Sequence, residues 1–432
     1  MSLVKSMKNS ATIQGAHRDE TIVVHGARIA RGPRDVVRGS IGISAGRVRT
    51  IETGPFFGGD NASKVRAIDL EGFLVLPGLI NAHDHLGFAP FPRLGDPPYR
   101  NYVDWGEDIH DQFPDVIAWY RAIPKSSRLW WGGIRNLLCG VTTVYHHDPL
   151  WPDLLRADFP VRVIRQDMWA HSLAFGGDLS TKRAALPNGS PFVLHACEGI
   201  DDVARKELWE LDRMGLLDSG AVLVHGLAID SAGAALMIER RASLIVCPSS
   251  NFFLFGALPD MDVLSKVGRV ALGSDSPLTA AGDLLDEIRF AIDRCAISPD
   301  CAYRMVTTIP AEILQLKDHE GSIAESGVAD LIAMRDTGAD PADRLQSLSI
   351  CDIELVMIGG RVQLVSEALM DRLPPSQRHG LEPLSIGTVH RWLRAPANDL
   401  LRGTEQVLGR GRARLGERSL QLPALAEAQH VG

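Results

Sequence analysis

The sequence predicts a parallel (β/α)8 barrel of the TIM type, irregular around its fourth strand, with a small β-sandwich domain built from both ends of the chain. Three observations predict it. Between about Pro77 and Leu316, short apolar runs alternate with amphipathic helical runs over roughly the ~250 residues that such a barrel needs. Glycine-punctuated β segments precede this middle, and similar segments return after it. Several of the apolar runs in the middle end in histidine or an acid.

Length and composition agree. The chain has 432 residues, 45% hydrophobic and 23% charged, enough for one large domain and a smaller one. A net charge of −8 disfavours nucleic acid as a partner. Six scattered cysteines without C-x-x-C spacing give neither a disulfide framework nor a thiolate metal site, and they suit a reducing cytoplasm. No signal-peptide pattern opens the sequence, and no apolar run approaches the ~18 residues of a membrane span. The expectation is a cytoplasmic protein acting on a small molecule, without membrane or nucleic-acid partners, as a homodimer or larger homo-oligomer.

In chain order, residues 1–19 read as a polar, flexible lead. Residues 20–76 and 329–370 make the small β domain, with Gly359-Gly360 placed as a tight hairpin turn requires. Residues 77–328 form the barrel. Its first strand lies in LVLPGLINAHDH (74–85), and six more follow at 140–146, 161–167, 191–196, 221–226, 243–247 and 269–274. Between Asp167 and Ser190 the chain is short and polar, and a strand at Ser172–Phe175 would fill the fourth place. The helix after Asp201 is read with Val203, Leu208, Leu211 and Met214 on its apolar face. Residues 371–432 read as a C-terminal tail, helical or contacting an oligomer partner, with a basic stretch from Arg402 to Arg418.

A parallel barrel carries its site at the carboxyl ends of the strands. His83 and His85 end the first strand at i and i+2, so both imidazoles share one face. The strand at 191–196 delivers His195 and then Glu198, AVLVHG ends in His225, and RVALGSDS ends in Asp275. Each has a bland explanation alone, as a satisfied structural histidine or a helix cap. Four strands ending in metal-competent or proton-transferring groups point to a divalent metal site.

These pieces resemble the amidohydrolase superfamily, over about residues 21–365 and in particular its branch of metal-dependent deaminases and chlorohydrolases. The matching motifs are PGLINAHDH (77–85), GVTTV (140–144), HACE (195–198), VLVHG (222–226), CPSSN (247–251), LGSDS (272–276) and GSIAESGVADLIAM (321–334). The resemblance implies His83, His85, His195 and Asp275 as metal ligands, His225 as the group that polarises the scissile bond, and Glu198 as proton shuttle. It implies hydrolysis of a non-peptide C–N bond, foremost deamination of a small nitrogen heterocycle or amidine by metal-bound hydroxide. The alternatives are an amide, lactam or carbamate hydrolase, a chlorohydrolase with the same site, or a catalytically silent scaffold. Retention of Glu198 and Asp275 argues against the last.

Two-metal relatives use a bridging carboxylated lysine from the middle of the barrel. VRVIRQDMWAHSLAF holds no lysine, so one divalent ion is expected, Zn²⁺ first, with Fe²⁺ or Mn²⁺ as alternatives. Substrate contacts are expected from Arg93 and Trp105, in the long insert after His85, and from His171 and Asn251.

Overall fold

The computed structural model describes residues 21–54, 65–166, 168–280 and 282–422. The lead at 1–19 lies outside them. Five strands open the chain: β1 (Thr21–Ala30), β2 (Val36–Ser44), β3 (Arg47–Thr53), β4 (Val65–Asp69) and β5 (Phe73–Pro77). β1, β2 and β3 form an antiparallel meander, and β4 and β5 lie parallel to β1.

The middle holds two parallel runs in chain order. The first is β6 (Leu79–Asp84), β7 (Val141–His146) and β8 (Arg162–Val163). The second is β9 (Phe192–Ala196), β10 (Ala221–His225), β11 (Ser243–Val246) and β12 (Val270–Leu272). Except for Arg162 these strands are buried at every position, as parallel strands covered on both faces must be.

The seams between the runs differ from the ring that the sequence predicts. The third strand, expected over 161–167, keeps only two ladder residues, and Asp167 lies outside the described residues. The fourth is reduced to one parallel bridge between Ser172 and His195, with the His171 carbonyl accepting the His195 N–H at 2.8 Å. The polar stretch there lacks the β-branched run that a longer ladder needs. At the other seam the Asp275 N–H donates to the His83 carbonyl at 3.1 Å. Gly273 allows that approach, since a Cβ on it would stand 2.6 Å from the His83 Cβ. The described residues therefore make an α/β fold with two parallel sheets and no continuous closed ladder.

The chain then returns to the first sheet. β13 (Leu331–Arg335) pairs with β5, and β14 (Leu355–Ile358) and β15 (Arg361–Val365) close a hairpin on Gly359-Gly360. Both glycines have positive φ, 55° and 73°, as a two-residue type I′ turn requires. The described part of the expected C-terminal tail, residues 371–422, joins the first sheet. It adds β16 (Glu382–Ile386), β17 (Val389–Leu393), β18 (Arg414–Leu415) and β19 (Arg418–Gln421), so that one continuous twelve-stranded sheet results. Its helix Ala397–Leu408 packs on the helix Lys125–Leu138, where Thr404 accepts the Trp131 indole N–H at 2.8 Å. Of the basic stretch, Arg418 is paired with Asp283 and Asp286 at 2.9 and 3.3 Å. No helix among the described residues is long and apolar enough to cross a membrane.

Candidate metal centre and active site

Three imidazoles meet at the carboxyl ends of β6 and β9. The Nε2 atoms of His83 and His85 each lie 3.3 Å from Nε2 of His195. Asp275, just past β12, brings Oδ1 to 3.5 Å from His83 Nε2 and 3.8 Å from His85 Nε2. All four residues are under a tenth exposed. Ligands about 2.05 Å from a common centre at tetrahedral angles sit about 3.3 Å apart, which is the spacing seen between the nitrogens.

The outer nitrogens fix the tautomers. His195 Nδ1 lies 3.0 Å from the His171 carbonyl, which only accepts, so Nδ1 carries the proton. His85 Nδ1 faces the Asp148 carboxylate at 3.2 Å and is likewise the donor. For His83 the argument takes two steps. His147 Nε2 lies 2.8 Å from the Ala170 carbonyl and must donate to it, leaving His147 Nδ1 as an acceptor. His83 Nδ1, 3.1 Å away, donates to that atom. In the neutral form each ring turns an Nε2 lone pair toward the same point, beside a carboxylate oxygen; against burial, Asp148 and Asp275 raise His85 to about 9, so a cation entering the cradle displaces a proton from its Nε2. Acceptors crowded this way without a donor repel one another, and a cation at their centre reverses the sign. The residues fit a divalent metal. A second grouping, His83, His195 and His225, also has its ligand atoms within 4.8 Å of one another.

Beyond the cradle, His225 Nε2 stands 3.6 Å from Glu198 Oε2 and 4.0 Å from Asp275 Oδ2. Burial holds the His225 imidazole down at about 3, against the charge of Asp275, so the ring is neutral. Burial, with the charges of Asp275 and Glu207, pushes the Glu198 carboxyl well above the usual range. Asp275 goes the other way. Burial raises it, but the ring of imidazoles around it outweighs that and holds it well below the ordinary value. Ser250 Oγ and Thr279 Oγ1 donate to Asp275 Oδ2 at 2.7 and 3.1 Å, and Ser276 N–H donates to Oδ1 at 2.7 Å. Two acids with protonation pushed apart can serve as donor and acceptor in one reaction. Cys197, His225 and Asp275 all have left-handed backbone, with φ of 55°, 76° and 51°, so strain is concentrated where the strands hand over these groups.

The cradle forms the inner end of a chamber of about 720 Å³. Trp105 and His171 line it, as the sequence suggested; the Trp105 indole donates to the Leu94 carbonyl at 2.9 Å. The other two expected contacts are not walls of the chamber. Arg93 is exposed, with its guanidinium 4.8 Å above the Phe253 ring, because the insert turns that side chain outward. Asn251 is fully buried in the helix Pro248–Phe255, with its amide beside the His225 imidazole and not on the chamber wall.

Several functional residues escape sequence reasoning. His147 and Asp148, which orient His83 and His85, follow β7 in the run His146-His147-Asp148; a second histidine-acid strand end was the available signal. Glu207 is buried and accepts the Cys197 N–H at 2.7 Å and the Tyr102 hydroxyl at 3.0 Å, fixing the turn that presents Glu198. Its helix, Asp202–Arg213, buries Ala204, Glu207, Leu208 and Leu211, not Val203, which is 60% exposed. That face has the i, i+3, i+4, i+7 spacing, and an acid inside it was the sign. Glu287 does the same at β11, where it accepts the Ser249 N–H at 2.9 Å and the Ser249 hydroxyl.

The fold and the convergent imidazoles define an α/β protein with a histidine–aspartate candidate metal centre at its strand ends. The comparisons make the class more specific. Residues 182–363 match the model of the amidohydrolase family. A 5-methylthioadenosine/S-adenosylhomocysteine deaminase of Natronomonas pharaonis is 26% identical over 386 residues, covering 72% of this chain and 86% of that protein. An adenosine deaminase of Xanthomonas campestris solved with bound zinc superposes with TM-score 0.69 at 19% identity, covering 91% of this chain and 98% of its own. An atrazine chlorohydrolase of Arthrobacter aurescens complexed with zinc gives 0.67 at 17%, covering 90% and 100%. The last two likenesses show a shared fold. Over residues 182–363 the chain is similar to the amidohydrolase family, and along most of its length it is similar to 5-methylthioadenosine/S-adenosylhomocysteine deaminases.

Proposed function

We propose that the protein is a metal-dependent hydrolase of non-peptide C–N bonds that deaminates a nitrogen heterocycle. We read its two parallel sheets as one eight-position barrel holding a single divalent ion, zinc foremost, on His83, His85, His195 and Asp275. The observation that carries this is the tautomer chain: three Nε2 atoms and one carboxylate oxygen facing a common point at the inner end of a chamber, with Glu198 alongside.

A divalent cation held by His83, His85, His195 and Asp275 would supply a Lewis acid able to lower the pKa of water toward ~7. Asp275, ionised, takes a proton from the attacking water as the new C–O bond forms. Glu198, protonated, gives its proton to the departing amino nitrogen as the C–N bond breaks. Water and the amino-heterocycle thus become the oxo-heterocycle and ammonia. His225, with Nε2 near both acids, donates its one N–H where charge develops on the ring. The proton left on Asp275 recharges Glu198 for the next turnover.

The test is ammonia release by metal-loaded protein across purines, pyrimidines, pterins and amidines, with an amide panel beside it. Turnover of at least one amino-heterocycle, with close to one equivalent of metal per chain by elemental analysis, is the expected outcome. Two equivalents would overturn the single-ion reading. Complete inertness on both panels would overturn the hydrolase reading.

A further inference from the structure

The insert after His85 and the helices that follow it build a small apolar cluster of their own. Phe91, Leu94, Ile109, Ile117 and Leu278 are each under a tenth exposed and pack together, apart from the main barrel core. All five also line the chamber, as does Phe88, whose ring centroid is 6.2 Å from that of His85. The cluster is thus a hydrophobic core with one open face, and that face looks into the chamber beside the metal cradle.

Charge is arranged to match. The acids that reach the inner chamber are Asp148, Glu198 and Asp275. At the mouth stand exposed Glu107 and Asp111, and Arg121, also exposed, is the one lysine or arginine among the described lining residues. Short of Arg121 at the mouth, a carboxylate or phosphate lying along the apolar wall would lose its hydration without gaining a cationic partner. The volume is also in the upper part of the ~300–1,000 Å³ range of small-molecule sites, more than a bare ring requires.

We infer that the substrate is an uncharged amino-substituted nitrogen heterocycle bearing an apolar arm, with the ring at the cradle and the arm against the Phe91–Leu278 wall, and that phosphorylated or carboxylated analogues are rejected. This rests on the hydrolase reading for the reacting end only; the arm's site stands on the wall itself.

The experiment is calorimetric titration of the metal-loaded protein with aminopurine, aminopyrimidine and aminotriazine, each carrying ethyl, butyl, hexyl or carboxypentyl arms. For at least one ring, affinity should rise about fourfold per methylene until the wall is filled. The carboxypentyl member should bind at least about a hundredfold more weakly than the hexyl one. Ile117→Lys should narrow that gap. Affinity flat in arm length, a carboxylated arm that binds as tightly as the hexyl arm, or no binding by any ring overturns the inference. Ammonia release is followed in parallel. Arm-dependent binding without ammonia would sink the hydrolase reading alone, and ammonia release indifferent to the arm would sink only the inference drawn here.

Discussion

At the inner end of the chamber, His83, His85 and His195 each have their outer nitrogen held by a named partner: His147, Asp148 and the His171 carbonyl. The apolar wall from Phe88 to Ile117 is organised otherwise. Its side chains make no directed bonds apart from anchors such as the Trp105 indole on the Leu94 carbonyl, and burial alone keeps them together. The first region cannot shift by a fraction of an ångström without breaking a hydrogen bond. The second can repack around a different shape at small cost. Chemistry and selectivity are thereby separated within one cavity, and variants in the two regions should fail in different ways.

The sharpest test of that separation is Glu198→Gln. The amide keeps the shape and cannot deliver a proton, so turnover should fall ~10²–10⁴-fold while metal content stays at the wild-type value. Ammonia release and elemental analysis read both quantities. A kcat within tenfold of wild type would remove Glu198 from the mechanism.

Next comes His147→Phe, which removes the acceptor that sets the His83 tautomer. Loss of such an outer partner costs ~10–100-fold in metal affinity, measured by chelator competition. His147→Gln, which can still accept through its amide oxygen, should recover part of it. Unchanged metal affinity in His147→Phe would mean that the tautomer chain has no hold on the cradle.

The same contrast shows what the sequence could say. His83, His85, His195, His225, Glu198 and Asp275 were legible because each ends an apolar run, and strand ends of a parallel fold converge whatever lies between them. His147 and Asp148 were harder to see, since their role depends on which carbonyl each ring nitrogen meets. The main architecture was legible from alternation of period-2 and period-3.6 segments. The seams were not, because the approach of the chain after β12 to the end of β6 depends on Gly273 and not on any run of residues. Arg93 and Asn251 were misplaced for a related reason: the direction of an insert's side chains is set by its packing, which has no periodicity to read. The C-terminal strands were hidden by their brevity and by the arginines among them, of which Arg418 pairs with Asp283 and Asp286.

Glu207 joins the two regions, since it binds the Glu198 turn through Cys197 and the wall helix through Tyr102. Burial lifts its carboxyl to about 7 from an ordinary 4.5, against the hydrogen bonds from Cys197 and Tyr102. The folded state therefore holds a proton that the unfolded chain releases between pH 4.5 and 7. Its contribution is fully present below about pH 4.5 and is lost as pH rises through about 7, a swing of about 3 kcal/mol. Glu207→Gln should remove that swing. Denaturant melts of both proteins at pH 5 and pH 8, compared as a difference, measure it; a difference independent of pH contradicts the assignment.

The smallest effect belongs to the wall. Trp105→Phe keeps an aromatic ring against the chamber and deletes only the indole N–H that reaches the Leu94 carbonyl at 2.9 Å. One such bond is worth about 1 kcal/mol net to the anchored arrangement of the wall, so ligand affinity should weaken by no more than about fivefold. The cradle shares no hydrogen bond with this anchor, so kcat and metal affinity should stay at wild-type values while KM rises. A fall in kcat or in metal content would show that the wall transmits strain to the imidazoles, and the two regions would then have to be treated as one packed unit. A change confined to KM would show that the insert can be recut for a new substrate while the chemistry at the strand ends stays intact.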